Sequence, residues 1–136
     1  MNPKPRILLV DDEPDVRKVT KVRLEHEGYD VVVATDGERA VECAATELPI
    51  HLILLDIRLP RLSGYEVCRR LKRQPATAHI PILLFTASEA EAANLTDRCI
   101  EVGANDWIKK PFHSKVLMEK IRRLIGDAAG EDMSHG

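Results

Sequence analysis

Cysteine is scarce in the 136-residue sequence, and this scarcity argues against several classes of protein. The cysteines are widely spaced, odd in number and never arranged as a Cys-x-x-Cys pair, so neither a disulfide framework nor a cysteine-ligated metal site is indicated. The chain therefore does not resemble a small, disulfide-stabilised secreted domain. We predict instead that all of them are small, buried apolar residues in a reducing compartment, namely Cys43, Cys68 and Cys99.

Long apolar segments are also missing from the sequence. The longest apolar runs contain four to six residues, whereas a membrane-spanning helix needs about 20. The N-terminal sequence MNPKPRILLVDDE lacks the apolar segment and the small-residue cleavage site of a signal peptide. We therefore expect a cytoplasmic protein that has no membrane partner.

The chain has no marked excess of charge of either sign. It contains 20 basic and 22 acidic residues, which gives a formal net charge of −2. Domains that bind nucleic acids directly are usually basic, so the sequence predicts no direct contact with DNA or RNA. With 44% hydrophobic and 31% charged residues, the chain has the composition and the length of one globular domain.

Five short apolar runs alternate with longer amphipathic segments, which indicates five consecutive strand–helix units. Because the runs are continuously apolar rather than alternating, they are typical of strands that helices cover on both faces. The sequence thus predicts an α/β fold in which a doubly wound, five-stranded parallel sheet packs against five helices. The predicted strands lie near 7–10, 31–34, 51–55, 81–85 and 106–109, and the predicted helices end near 27, 47, 73, 102 and 125.

Turn and capping residues support these boundaries. Pro14 stands where the first turn of a helix tolerates proline, and Ser63 and Ser88 are each followed three positions later by glutamate, as in a capping box. Glycines fall just after three predicted helix ends, where a left-handed residue is favoured: Gly28, Gly103 and Gly126. We expect one domain over residues 1–126 and a disordered tail over 127–136.

Polar residues follow four of the five predicted strands. The carboxyl ends of parallel strands meet at one edge of such a sheet, so the side chains that follow them converge there. Three converging carboxylates repel one another and favour a divalent cation such as Mg²⁺ or Mn²⁺. A nearby lysine and hydroxyl would then bind an anion, and together these are the parts required for phosphoryl transfer to an aspartate. The residues concerned are Asp11, Asp12, Asp56, Thr86, Lys109 and Lys110.

Four motifs at this edge carry a family resemblance. The segments LLVDDEP, LLDIRLPRLSGYE, LLFTAS and GANDWIKKPF occur in this order, and together they resemble the response-regulator receiver domain of two-component signalling, chemotaxis regulators included. The resemblance covers about Arg6 to Ile125 and implies a flavodoxin-like (βα)5 fold. It also implies a phosphoacceptor signalling domain rather than an enzyme, one that catalyses only its own phosphorylation and dephosphorylation.

The resemblance implies a phosphoacceptor and a metal site. Asp56 matches the phosphoacceptor, which receives a phosphoryl group from the phosphohistidine of a sensor histidine kinase or a histidine phosphotransfer protein. Asp12 and Asp56 resemble direct Mg²⁺ ligands, together with the backbone carbonyl of Arg58. Asp11 resembles a ligand that acts through water. Mg²⁺, with Mn²⁺ as a substitute, is thus the implied cofactor.

The resemblance also implies roles for residues on the neighbouring strands. Thr86 matches the hydroxyl that turns toward the phosphoryl group, and Trp107 occupies the aromatic switch position. Lys110, rather than Lys109, matches the family lysine, because it directly precedes Pro111 and the corresponding bond in the family is cis. These roles imply an output surface on the fourth helix, fifth strand and fifth helix that a downstream protein reads. The implied state is a monomer or a phosphorylation-dependent dimer.

Several alternatives stay open at this point. The chain is either a standalone receiver or a receiver cut from a longer regulator with an enzymatic or DNA-binding output domain. An aspartate-nucleophile phosphatase would need a second acid two residues after the nucleophile, where this chain has Arg58. A flavodoxin-like binding module would need a phosphate loop rich in Ser, Thr or Gly after the first strand, where this chain has Asp-Asp-Glu-Pro. Arg58 itself either covers the phosphorylated carboxylate or is a solvated side chain.

Overall fold

A parallel β-sheet with helices on both faces forms the centre of the protein. The computed structural model describes residues 4–47, 49–111 and 113–134. The described strands are β1 (Arg6–Val10), β2 (Asp30–Ala34), β3 (Leu52–Asp56), β4 (Ile82–Thr86) and β5 (Asp106–Lys109). They are all parallel and lie in the order β2-β1-β3-β4-β5. The predicted fold class, a doubly wound five-stranded parallel sheet, is therefore confirmed.

The helices that connect and follow the strands differ from the prediction in two places. Among the described residues they are α1 (Pro14–His26), α2 (Gly37–Thr46), α3 (Gly64–Arg73), α4 (Glu89–Ala93), α5 (Leu95–Val102) and α6 (Ser114–Ser134). The described part of the chain thus contains six helices where five were predicted. The differences lie in the fourth predicted helix and in the last one.

The fourth predicted helix, from Glu89 to Val102, is divided at Asn94. The backbone of Asn94 has φ −115° and ψ 8°, so this residue leaves the helical conformation and ends α4 before α5 begins. Asparagine is a poor helix former because its side chain competes for backbone hydrogen bonds. The short first piece, α4, contains no buried residue.

The last helix, α6, continues past its predicted end at Ile125. Gly126 lies inside this helix and not after it, because a single glycine weakens a helix by only about 1 kcal/mol. Gly28 and Gly103, in contrast, have φ values of 98° and 84° and end their helices as predicted. The predicted tail over 127–136 begins within α6 and extends beyond the described residues, so a domain boundary at 126 stays a prediction.

The core consists of two apolar layers, one on each face of the sheet. Leu8 and Val10 of β1 point into the layer covered by α2, α3 and α5, whereas Ile7 and Leu9 point into the layer covered by α1 and α6. All five residues of β3 are buried, as expected for the central strand. The three cysteines are free and buried, as predicted. In the described part of the chain, no helix is both long and apolar enough to cross a membrane.

Candidate functional site

A cleft opens at the edge of the sheet where the parallel strands end. The strands β1 and β3 are neighbours, and the chain leaves them toward opposite sides of the sheet. Open parallel sheets form their binding crevices at such a point, because the two connecting loops diverge there. The cleft has a volume of about 490 Å³. Its lining residues are Asp12, Glu13, Asp56, Arg58, Thr86, Ala87, Ser88 and Lys110.

Three carboxylates converge at this cleft. Asp11, Asp12 and Asp56 each offer an oxygen atom, and these atoms all lie within 4.8 Å of one another. Asp11 is 0% exposed and Asp56 is 5% exposed, so water screens their mutual repulsion poorly. Hard oxygen ligands grouped in this way fit a divalent cation such as Mg²⁺ or Mn²⁺. The structure thus brings together the three acids that the strand ends indicate.

Lys110 supplies positive charge next to these acids. Its Nζ atom lies 3.3 Å from Oδ2 of Asp11 and 3.6 Å from Oδ2 of Asp56. The same atom lies 4.5 Å from the centre of the Phe85 ring, whose face attracts a cation. The Lys110 side chain is only 11% exposed, so its charge acts on the acids through a poorly solvated medium.

The two neighbouring lysines have different surroundings. Lys109 forms an ion pair with Glu89 at the start of α4, and its side chain is 37% exposed. Lys110 turns toward the acids, and the Lys110–Pro111 peptide bond is cis. The structure therefore places Lys110, and not Lys109, at the carboxylate cluster.

Asp56 is a carboxylate in poorly solvated surroundings at the end of the central strand. Its Oδ1 atom accepts a hydrogen bond of 3.1 Å from the backbone N–H of Arg58. Burial raises the pKa of Asp56 from 3.8 to about 6. The ammonium of Lys110 and the N–H group of Arg58 oppose this rise in pKa, whereas the charges of Asp11 and Asp12 add to it. The ionisation of Asp56 therefore depends on the positive charge around it.

The loop after β3 approaches Asp56 very closely. A Cβ atom at Gly64 would lie 2.4 Å from the backbone oxygen of Asp56, so only glycine fits at the start of α3. Next to it, Ser63 caps this helix by accepting a hydrogen bond from the backbone N–H of Glu66. The glycine therefore lets the α3 terminus pack directly against the strand end that carries Asp56.

Thr86 ends the strand beside β3 and is 1% exposed. Its Oγ1 atom accepts a 3.1 Å hydrogen bond from the backbone N–H of Ser88, and its backbone oxygen accepts one of 2.7 Å from the N–H of Lys110. Thr86 is thus bonded both to the loop that follows β4 and to the chain just after β5.

Trp107 lies on the other face of the sheet from Lys110. It packs against the apolar layer of α2, α3 and α5, and its Nε1 atom donates a 3.1 Å hydrogen bond to Oγ1 of Thr96 on α5. Lys110 instead lies over Phe85, which belongs to the opposite layer. The alternation of side chains along a strand accounts for this separation.

Two residues that position Asp11 were not predicted from the sequence. The backbone N–H of Glu13 donates a 2.9 Å hydrogen bond to Oδ1 of Asp11, and the Glu13 carboxylate lies 3.8 Å from Nζ of Lys110. Arg17, one turn into α1, donates a 3.1 Å hydrogen bond to the backbone oxygen of Asp11. The sequence signal for Glu13 was its place directly after the two acids. No local signal marks Arg17, because its contact depends on how α1 docks on the sheet.

Comparison with known proteins identifies relatives along most of the chain. The family model of the response regulator receiver domain matches residues 7–122. A probable transcriptional regulator, ycf27 of Cyanophora paradoxa, is 41% identical over 90% of this chain and 48% of its own length. The DNA-binding dual master transcriptional regulator RpaA of Synechocystis is 37% identical over 89% of this chain and 49% of its own length. The chain thus spans about half the length of these curated relatives.

A solved structure agrees with these matches. The receiver domain of the sensor histidine kinase PA1611 from Pseudomonas aeruginosa has a TM-score of 0.81 and 35% identity, covering 90% of this chain and 98% of that one. That structure is described with a magnesium ion coordinated in its active site cleft. With a matching family model over most of its length and this agreement in fold, the chain belongs to the response regulator receiver domains, the phosphate-accepting domains of two-component signalling.

Proposed function

We propose that Asp56 is the residue that accepts the phosphoryl group. The observation that carries this proposal is its position: Asp56 ends the central strand inside the cleft, with one oxygen bonded to the Arg58 N–H and the other 3.6 Å from Nζ of Lys110. In the transfer, an Asp56 oxygen forms a bond to phosphorus while the bond from phosphorus to the donor's imidazole nitrogen breaks. The bonding electrons stay on that nitrogen, which then takes up a proton.

The acidic cluster provides a site for Mg²⁺, or for Mn²⁺ in its place. Asp11, Asp12 and Asp56 would hold the ion, together with the backbone carbonyl of Arg58, and Asp11 would act through water. The grouping of three carboxylate oxygens and the magnesium described in the PA1611 receiver domain support this assignment. The bound ion supplies positive charge that offsets the repulsion between the acids and an incoming phosphoryl group.

Lys110 and Thr86 bind the phosphoryl group once it is on Asp56. The Lys110 ammonium already lies beside the acceptor and provides a charge-assisted hydrogen bond to a phosphoryl oxygen. Thr86 ends the adjacent strand, and its hydroxyl, which accepts a hydrogen bond from the Ser88 N–H, still has its own hydrogen to donate when it turns toward the phosphoryl group. No general base is required, because an ionised carboxylate is the nucleophile.

The phosphoryl donor is a sensor histidine kinase or a histidine phosphotransfer protein, and the output is a change in a protein-binding surface. The predicted surface corresponds to α4 and α5, β5 and α6 of the structure, beside Trp107. This domain would then be one part of a longer regulator. The lengths of the relatives support this, because the match covers only about half of each of them, and one of them is described as DNA-binding. That this domain makes no direct contact with nucleic acid stays a prediction. The phosphoryl donor can be identified by testing which histidine kinases of a panel transfer a phosphoryl group to this protein.

A phosphatase activity of the aspartate-nucleophile type is not favoured. Such an enzyme needs a second carboxylic acid two residues after its nucleophile, and Arg58 stands at that place with an exposed side chain. The cleft therefore offers an acceptor for the phosphoryl group without a dedicated acid for its removal.

The proposal is tested with acetyl phosphate, a small phosphoryl donor. With Mg²⁺, the wild-type protein should gain one phosphoryl group by intact-mass measurement, whereas Asp56→Asn should gain none, and EDTA should abolish the reaction. Asp30→Asn, which changes an exposed carboxylate at the start of β2, is the matched control and should be phosphorylated normally. Equal labelling of Asp56→Asn would refute the assignment.

The proposed switch is tested through Trp107, the only tryptophan of the chain. A phosphoryl mimic added with Mg²⁺ should change its emission, because Thr86 moves toward the phosphoryl group and the ring repacks into the vacated space. Thr86→Ala should retain phosphorylation and show a weaker change in emission. An undiminished change in Thr86→Ala would mean that Trp107 senses the nearby charge instead of the switch.

A further inference from the structure

Helix α4 is held in place by polar contacts instead of apolar packing. None of its five residues is buried. Two of its carboxylates bind neighbouring elements: Glu89 pairs with Lys109 at the end of β5, and Glu91 accepts a 2.7 Å hydrogen bond from the hydroxyl of Tyr65 on α3. The Glu89 side chain is 83% exposed, and such exposed ion pairs contribute little to stability. The hydrogen bond between Tyr65 and Glu91 therefore holds α4 more strongly than the ion pair between Glu89 and Lys109 does.

Tyr65 is a rigid attachment point for this bond. Its side chain belongs to the apolar layer beneath α3, and it is 6% exposed. The guanidinium carbon of Arg98 lies 4.4 Å from the centre of the Tyr65 ring and fixes it from the side of α5. Burial, together with the hydrogen bond to Glu91, raises the pKa of Tyr65 to about 12. The hydroxyl therefore stays protonated at neutral pH and can donate its hydrogen bond to Glu91.

A continuous series of hydrogen bonds joins Tyr65 to the wall of the cleft. The Tyr65 hydroxyl donates to the Glu91 carboxylate, and the backbone N–H of Glu91 donates to Oγ of Ser88 at 3.2 Å. The backbone N–H of Ser88 in turn donates to Oγ1 of Thr86 at 3.1 Å. Thr86 and Ser88 both line the cleft, whereas Tyr65 lies outside it.

We propose that Tyr65 is a positioning residue which, through Glu91, holds the Thr86–Ser88 wall of the cleft in place and so limits the access of water to phosphorylated Asp56. This inference rests on the proposed phosphorylation of Asp56. In the hydrolysis that it slows, a water oxygen forms a bond to phosphorus while the bond from phosphorus to the Asp56 oxygen breaks. The bonding electrons return to the carboxylate, and the water proton leaves with the phosphate or to solvent.

The test compares the lifetimes of the phosphorylated proteins. Each variant is phosphorylated with acetyl phosphate and Mg²⁺, the donor is removed, and the loss of the phosphoryl group is followed by intact mass. Tyr65→Phe keeps the ring and its contact with Arg98, yet it should lose phosphate about three- to tenfold faster than wild type, which is the range for the loss of one typical hydrogen bond. Glu91→Ala should behave in the same way, whereas Glu91→Gln, which keeps an oxygen acceptor, should stay close to wild type.

Two further measurements separate positioning from general loosening of the fold. Tyr29→Phe removes the hydroxyl of the other tyrosine, which lies just before β2 at the far edge of the sheet, and should leave the lifetime unchanged. The double variant Tyr65→Phe/Glu91→Ala should lose phosphate no faster than either single variant, because both remove the same bond.

Each outcome is decisive. An unchanged lifetime in Tyr65→Phe, or effects of Tyr65→Phe and Glu91→Ala that multiply in the double variant, would overturn the role of Tyr65 while leaving Asp56 as phosphoacceptor. Failure of the wild-type protein to gain a phosphoryl group on Asp56 would overturn both proposals. The two failures are therefore distinguished within the same experiment.

Discussion

Replacing Asp56 with asparagine should stabilise the metal-free protein at neutral pH. Burial raises the pKa of Asp56 from 3.8 to about 6, so the folded state binds this proton more tightly than the unfolded state does. The free energy of unfolding therefore falls as pH rises from about 4 to about 6, and the loss is complete above that range. The rise in the pKa of Asp56 from 3.8 to about 6 corresponds to about 3 kcal/mol, which is the cost of keeping the buried carboxylate ionised.

An asparagine side chain has nearly the shape of the native aspartate without its charge, so Asp56→Asn removes this cost at pH 7. Urea unfolding in EDTA, followed by Trp107 emission and by circular dichroism, should show the variant to be more stable by about 1–3 kcal/mol at pH 7 and equal to wild type near pH 4. Asp30→Asn, at an exposed site, should change stability by less than about 0.5 kcal/mol. A destabilised Asp56→Asn at pH 7, or a difference that persists at pH 4, would refute the reasoning.

Three other predictions concern the groups around Asp56. Lys110→Ala should slow phosphorylation by acetyl phosphate far more than Lys109→Ala, because only the Lys110 ammonium lies beside the acids, and equal rates would contradict this placement. Arg58→Ala should change the rate of dephosphorylation several-fold, or about 1 kcal/mol in barrier, because this exposed side chain lines the cleft; an unchanged half-life would identify a solvated side chain. Mg²⁺ at 100 times its dissociation constant should raise the free energy of unfolding of wild type by about 2.7 kcal/mol, and that of Asp12→Asn by clearly less at the same concentration; equal gains would place the ion elsewhere.

The sequence was sufficient to predict the sheet and the convergence of charged groups at its edge. Continuous apolar runs marked the first four strands, whereas β5 contains only two apolar residues between Asp106 and Lys109. The rule that parallel strands end at one edge placed Asp11, Asp12 and Asp56 together. The choice of Lys110 over Lys109 needed the family resemblance, because both residues follow the same strand and alternation alone does not say which one faces the acids. Local pattern therefore located the site, and the motif resolved one ambiguity within it.

The local sequence pattern could not predict the helix break at Asn94 or the contacts of Tyr65. The segment from Glu89 to Val102 is rich in helix-forming residues, and one asparagine is often tolerated inside a helix. The position of α4 depends instead on the bond from Glu91 to Tyr65, which is 26 residues away in the sequence. Glu91 was predicted as the acidic member of a capping box, yet its carboxylate binds Tyr65, and only its backbone N–H is capped by Ser88.

Two series of contacts lead from the cleft to α5, one through Trp107 and the other through Tyr65. Thr86 lies on the strand next to β5, where Trp107 donates its hydrogen bond to Thr96 of α5. The second connection reaches Tyr65, whose ring lies under Arg98 of the same helix. Since α5 is separated from α4 at Asn94, it can respond to the two connections as a distinct element. The outward face of α5, where the side chain of Ile100 is 77% exposed, belongs to the proposed output surface.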